Sequence, residues 1–166
     1  MLHLFSGQRR TDDFQFHFEA CLQSSPLPVI CLSVDIVHHR IGDLTDPKSV
    51  ALRIDLILLR VVIVSIGGPP CETWSVARMS ALLEGPGPRP LRSIERLWGI
   101  ANLKPRELEQ VRTGNDLSRA MIIVLYASKA AGAAAAMERP APPTWKPNAL
   151  ARFTCQSLTG AALLMM

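Results

Sequence analysis

The sequence is poor in aromatic residues, which make up only 5% of its 166 positions, too few to line a stacking platform for single-stranded nucleic acid. It also lacks paired cysteines. Cys21, Cys31, Cys71 and Cys155 stand far apart with no CxxC spacing, which excludes a small disulfide scaffold and a zinc ribbon. No apolar run reaches the ~20 residues of a bilayer-spanning helix. The run Ile54–Ile66 is broken by Asp55 and Arg60, and residues 120–137 carry Lys129, so no membrane partner is expected. The opening MLHLFSGQRR has neither the basic start nor the cleavage site of a secretory signal. The expected location is therefore intracellular, with reduced thiols, and a nuclear location fits.

What is present is apolar material: 48% of residues are hydrophobic, enough for the core of one ordinary domain. The net charge of +4 is compatible with an anionic partner such as nucleic acid, although the arginines are spread rather than clustered. His3, His17, His38 and His39 do not combine with the cysteines at ligand spacing, and no metal site is expected.

The apolar pattern alternates between two periods. Leu2–Phe5 reads as a strand ending in a Ser6-Gly7 turn. Asp12-Asp13 then opens a helix with Phe14, Phe18 and Leu22 at four-residue spacing. Ser24–Pro28 breaks that helix, and Val29–Val34 reads as a second strand ending at Asp35. Asp46 and Pro47 are the N-cap and first turn of a second helix, with Val50, Ile54 and Ile57 or Leu58 on its buried face. Val61–Ile66 is uniformly apolar, as in a parallel strand covered on both faces, and stops at Gly67-Gly68-Pro69-Pro70, ahead of Cys71. Gly85–Pro90 should be an irregular crossing. A long helix begins near Pro105 with Leu108, Val111, Met121, Ile122 and Leu125 inward, and Ala133–Met137 is expected as a fourth buried strand running into Glu138. Pro140, Pro142, Pro143 and Pro147 end regular structure.

Strands alternating with helices imply βαβ units, an α/β fold and a parallel sheet, and right-handed crossovers put the strand-end loops on one edge. Open α/β sheets bind their ligands there. That edge collects Ser6-Gly7, Asp35, Gly42-Asp43, Pro70-Cys71 and Glu138.

Taken in order, Leu4-Phe5-Ser6-Gly7, Asp35, Gly42-Asp43-Leu44, the stretch GGPPCETWS around Cys71, and Glu138-Arg139-Pro140 resemble the motifs of the cytosine-C5 DNA methyltransferases. The resemblance covers about residues 1–145. It implies a Rossmann-like sheet of the S-adenosylmethionine-dependent methyltransferase type over residues 1–150, followed by a short tail at 151–166. It also implies cofactor contacts: Phe5, Ser6 and Gly7 at the amino-acid end, Asp35 at the ribose, Asp43 and Leu44 at the adenine.

Each role has a physical basis. A glycine turn lets a ligand approach backbone N–H groups, and an aspartate at a strand end accepts from a ribose diol. A thiol on a Pro-Pro turn at a strand end is exposed enough to act as a nucleophile. The resemblance makes Cys71 that nucleophile, adding to C6 of a flipped-out cytosine in DNA. It makes Glu138 the acid that hydrogen-bonds N3. Cys21 and Cys31 are expected as buried apolar residues of a helix and a strand. Arg78, Arg89 and Arg92 are expected as exposed loop charges or phosphate contacts.

The chain departs from the family at Gln8-Arg9-Arg10, where a second glycine is usual, and at Arg139-Pro140, where the family has Asn-Val. No Gln-x-Arg-x-Arg motif follows Ala149. The rival reading is a non-catalytic remnant with weak nucleic-acid or cofactor binding, and a third is a nucleotide-binding α/β domain of other chemistry, which no P-loop supports. An unfinished sheet edge is expected to favour self-association or a partner chain that completes the sheet.

Overall fold

In the computed structural model, residues 1–23, 29–74, 78, 88–93 and 95–138 are described. They form two units, Met1–Pro69 with Arg119–Glu138, and a second one that includes Pro70–Ser118. The order of elements in the first unit is that of an α/β fold: β1 (Leu2–Leu4), α1 (Phe14–Leu22), β2 (Leu32–Val34), α2 (Pro47–Leu58), β3 (Val64–Gly67) and β4 (Ala134–Met137). A long helix, α3 (Pro105–Ala131), belongs to the second unit up to Ser118 and to the first from Arg119.

The four strands form one all-parallel sheet in the order β2-β1-β3-β4. Leu2 pairs with Leu32 on one side and Ser65 on the other, and Gly67 pairs with Met137. Local chemistry sets the helix starts. The Asp13 carboxylate accepts from the Phe16 N–H, and that of Asp46 from the Lys48 N–H with Pro47 in the first turn. Leu2, Leu4, Ile57, Met121 and Val124 are fully buried, and the Ser128 hydroxyl donates to the Ser65 hydroxyl across 2.8 Å inside this core. No described helix is long and apolar enough to cross a membrane.

Several expectations need correction. The buried face of α2 is Ser49, Arg53 and Ile57, one residue round from the expected Val50-Ile54 stripe. Arg53 is tolerated inside because its Nη1 donates to the Ser49 carbonyl at 2.9 Å. β3 begins at Val64, and Val61 and Ile63 before it are exposed rather than covered. β4 is present but not buried: Ala134–Ala136 are exposed at the sheet margin, where a methyl side chain covers little. Helix α1 buries no residue, so Cys21 on it is exposed, whereas Cys31, just ahead of β2, is buried. Leu108 is exposed on α3, and Ala120 and Val124 are buried there instead.

In the second unit, Trp74, Leu91 and Val111 are buried, and the Trp74 and Trp98 rings meet edge to face at 6.1 Å. The expected chain break at Ser24–Pro28, the stretch 85–87 of the irregular crossing, Arg139-Pro140, the later prolines and the tail at 151–166 lie outside the described residues.

Candidate functional site

The loop after β1 is set by two residues in the left-handed region, Phe5 at φ 56° and Gly7 at φ 66°. That conformation is costly for an aromatic residue and free for glycine. Its result is that the Gly7 N–H points at Asp35, at the end of β2, and donates to Oδ2 across 2.9 Å. Asp35 Oδ1 accepts from the Val37 N–H at 3.0 Å, so each carboxylate oxygen has lone-pair capacity left for a further donor.

The rest of the β2–α2 connection closes on the same residue. The carbonyl of Asp35 accepts from the N–H groups of His38 and His39, and Gly42 packs against that carbonyl so tightly that no side chain fits. Asp43 follows, its Oδ1 accepting from both the N–H and the hydroxyl of Thr45, and Leu44 is buried. His39 uses Nδ1 to accept from the Ile41 N–H, a capping role. An open cavity of about 630 Å³ lies beside Asp43, lined also by Arg40, Asp46 and Lys48. Thus Gly7, from the loop after β1, and Gly42, from later in the β2–α2 connection, both meet Asp35, and Asp43 and Leu44 follow Gly42 directly.

Two polar atoms of β1 and its loop are buried with no hydrogen-bond partner: the Ser6 hydroxyl and His3 Nδ1. Burial also lowers the His3 pKa, against smaller opposing pulls that include Asp13, so the ring is neutral at pH 7. Orphaned buried polar groups are uncommon and each calls for a partner.

Glu138 extends the β3–β4 ladder by one bond, its N–H donating to the Gly67 carbonyl at 2.9 Å. A Cβ on Gly68 would lie 3.2 Å from Glu138 Oε2, so the absent side chain leaves room for the carboxyl group. In the second unit, Cys71 is exposed with a free thiol in a turn closed by the Trp74 N–H donating to the Cys71 carbonyl at 2.9 Å. Pro70, Glu72 and Thr73 around it line an open cavity of about 410 Å³ with Gln110, Gly114 and Leu117 of α3.

The loop arginines differ from expectation. Arg92 is buried rather than exposed, Arg89 is paired with Glu107, and Arg78 Nε donates to the Glu72 carbonyl at 2.8 Å. Sequence reasoning missed the burial of Arg92 because a single arginine beside a Gly/Pro segment carries no periodicity. The neighbouring Trp74 and Trp98 were the available signal. No group of three His, Cys, Asp or Glu able to hold a metal occurs among the described residues. No family model, curated protein or solved structure matches the chain.

Proposed function

We propose that the chain is a methyl-transfer domain of the cytosine-C5 type, binding S-adenosylmethionine along the β1, β2 and Gly42–Leu44 loops and acting on cytosine in DNA. The observation that carries this reading is the bond from the Gly7 N–H to the Asp35 carboxylate, with Gly42 seated on the carbonyl of the same aspartate. It joins three of the motifs on which the resemblance rests. The residues fit the cofactor: the buried Ser6 hydroxyl lacks a partner, and Asp35 retains acceptor capacity for a diol.

When bound, S-adenosylmethionine would supply an electrophilic methyl group, its sulfonium sulfur leaving as the neutral thioether. In this reading Ser6 and Gly7 orient its amino-acid end, Asp35 accepts from its ribose hydroxyls, and Asp43 with Leu44 holds its adenine. The Cys71 thiolate forms a bond to cytosine C6, which drives the ring electrons to C5. Glu138 holds a proton at N3 and so spreads the charge that develops there. Once C5 has taken the methyl group it loses its proton to a base, and Cys71 departs as thiolate, restoring the ring.

Calorimetric titration of the pure chain with S-adenosylmethionine tests the pocket, and transfer of labelled methyl groups to DNA by the chain and by Cys71→Ser tests the chemistry. Saturable binding is expected, with transfer abolished by the substitution. Absence of binding, or binding of ATP or NAD in its place, overturns the reading.

A further inference from the structure

Arg92 is 2% exposed, and the described groups to which it donates hydrogen bonds include no carboxylate. Its Nε and Nη2 donate to the Thr73 hydroxyl at 3.2 and 2.8 Å. Its Nη1 donates to the Leu97 carbonyl and to Asn115 Oδ1, both at 2.7 Å, and Nη2 reaches the Val111 carbonyl at 3.4 Å. The guanidinium carbon lies 3.7 Å from the centre of the Trp74 ring, a cation–π contact. Burial lowers its pKa to about 10, so it remains charged at neutral pH.

A buried cation is costly, and apolar residues would fill the same volume more cheaply. What an arginine adds is a planar fork that fixes several backbone segments at once. Two of its partners, Thr73 and Trp74, come directly after Cys71 and Glu72. Two others, Val111 and Asn115, belong to α3, and Leu97 lies between. Gly114 is part of the same arrangement, since a Cβ there would lie 2.8 Å from the Thr73 hydroxyl and 3.2 Å from Arg92 Nη2.

We propose that Arg92 is the positioning residue of the Cys71 loop, holding the turn that presents the thiol through its bonds to Thr73 and its stacking on Trp74. The proposal rests on the reading of Cys71 as the reacting group. Loss of the clamp frees the turn, so the thiol samples more open arrangements and meets small reagents more often.

The test is the rate of Cys71 alkylation by iodoacetamide in the folded full chain, with Cys21 as reference in the same molecule and sites read by peptide mass mapping. Thr73→Val removes the acceptor at nearly constant shape, while Thr73→Ser keeps it. Expected is a Cys71-to-Cys21 ratio raised about two- to tenfold by Thr73→Val, the factor corresponding to one hydrogen bond. Thr73→Ser should stay at the level of the parent chain. Arg92→Lys should raise the ratio as well, because an ammonium group cannot reproduce the fork. If Arg92→Lys does not fold, the Thr73 pair still decides. An unchanged or lowered ratio in Thr73→Val, or an equal rise in Thr73→Ser, overturns the proposal. Neither cofactor nor DNA enters this measurement, so failed S-adenosylmethionine binding removes the methyl-transfer reading separately.

Discussion

Gly42 sits against the carbonyl oxygen of Asp35 so closely that a Cβ would lie 2.2 Å from it. The nearest atoms are all backbone, of Asp35 and Ile36, so no flexible side chain can give way. Gly42→Ala should therefore destabilise the fold by about 1–3 kcal/mol, the ordinary cost of overpacking. Gly7 provides the contrast, because its Cβ position is open and only its φ of 66° resists substitution. Urea unfolding of both variants checks this, and a Gly42→Ala midpoint equal to that of the parent chain would remove the contact.

Asp35→Ala deletes the acceptor of the Gly7 and Val37 N–H groups as well as the proposed ribose contact. Loss of one charge-assisted hydrogen bond, about 1.5–3 kcal/mol, corresponds to S-adenosylmethionine binding weakened about ten- to hundredfold. Calorimetry reads the difference, and equal affinity would detach Asp35 from the pocket.

The thiols should separate by accessibility. Cys71 and Cys21 are exposed and Cys31 is buried, and burial pushes the Cys31 thiol up against a smaller opposing contribution from Ser33. Alkylation followed by mass mapping should modify Cys31 last of these three. Faster labelling of Cys31 than of Cys71 in the folded chain contradicts the structure.

The hydrogen bond from Arg89, helped by the Lys104 N–H, lowers the Glu107 carboxyl pKa from 4.5 to about 2. A carboxylate depressed in the folded state contributes stability that is complete above pH 4.5 and is lost as the pH falls towards 2. Melting temperature should therefore decline across that window in the parent chain and more shallowly in Glu107→Gln. Because the Arg89 side chain is partly exposed, salt should reduce the difference. Parallel curves would show that the pair does not couple to folding.

The parallel sheet was legible because its strands are short apolar runs ended by Gly or Asp, and the caps Asp13 and Asp46 announce their helices. The placing of Ser6-Gly7, Asp35 and Gly42-Asp43 at one edge came from topology, since parallel strands deliver their C-terminal loops to one edge, whereas Phe5 and Leu44 came only from the resemblance. Less legible were features set by long-range packing. The α2 stripe is displaced by one position because Arg53 satisfies its charge on the Ser49 carbonyl, which hydropathy cannot register. The exposure of Ala134–Ala136 depends on which strand is outermost, and composition does not encode that. Arg92 is held by partners drawn from residues 73–115, and no local window contains them all.

The register of β3 on β4 joins Val64 to Ala134, 70 positions apart (134 minus 64), whereas β1 and β2 join Leu2 to Leu32, 30 positions apart. Closing the longer loop costs somewhat more than one doubling of length, about 0.7 kcal/mol of additional entropy. The equilibrium penalty is thus small, but pairs so distant in the chain slow folding, because their closure entropy precedes the contacts that reward it. Insertions into the chain between β3 and α3 then burden the folding rate more than the finished sheet, which leaves that stretch free to lengthen over evolutionary time.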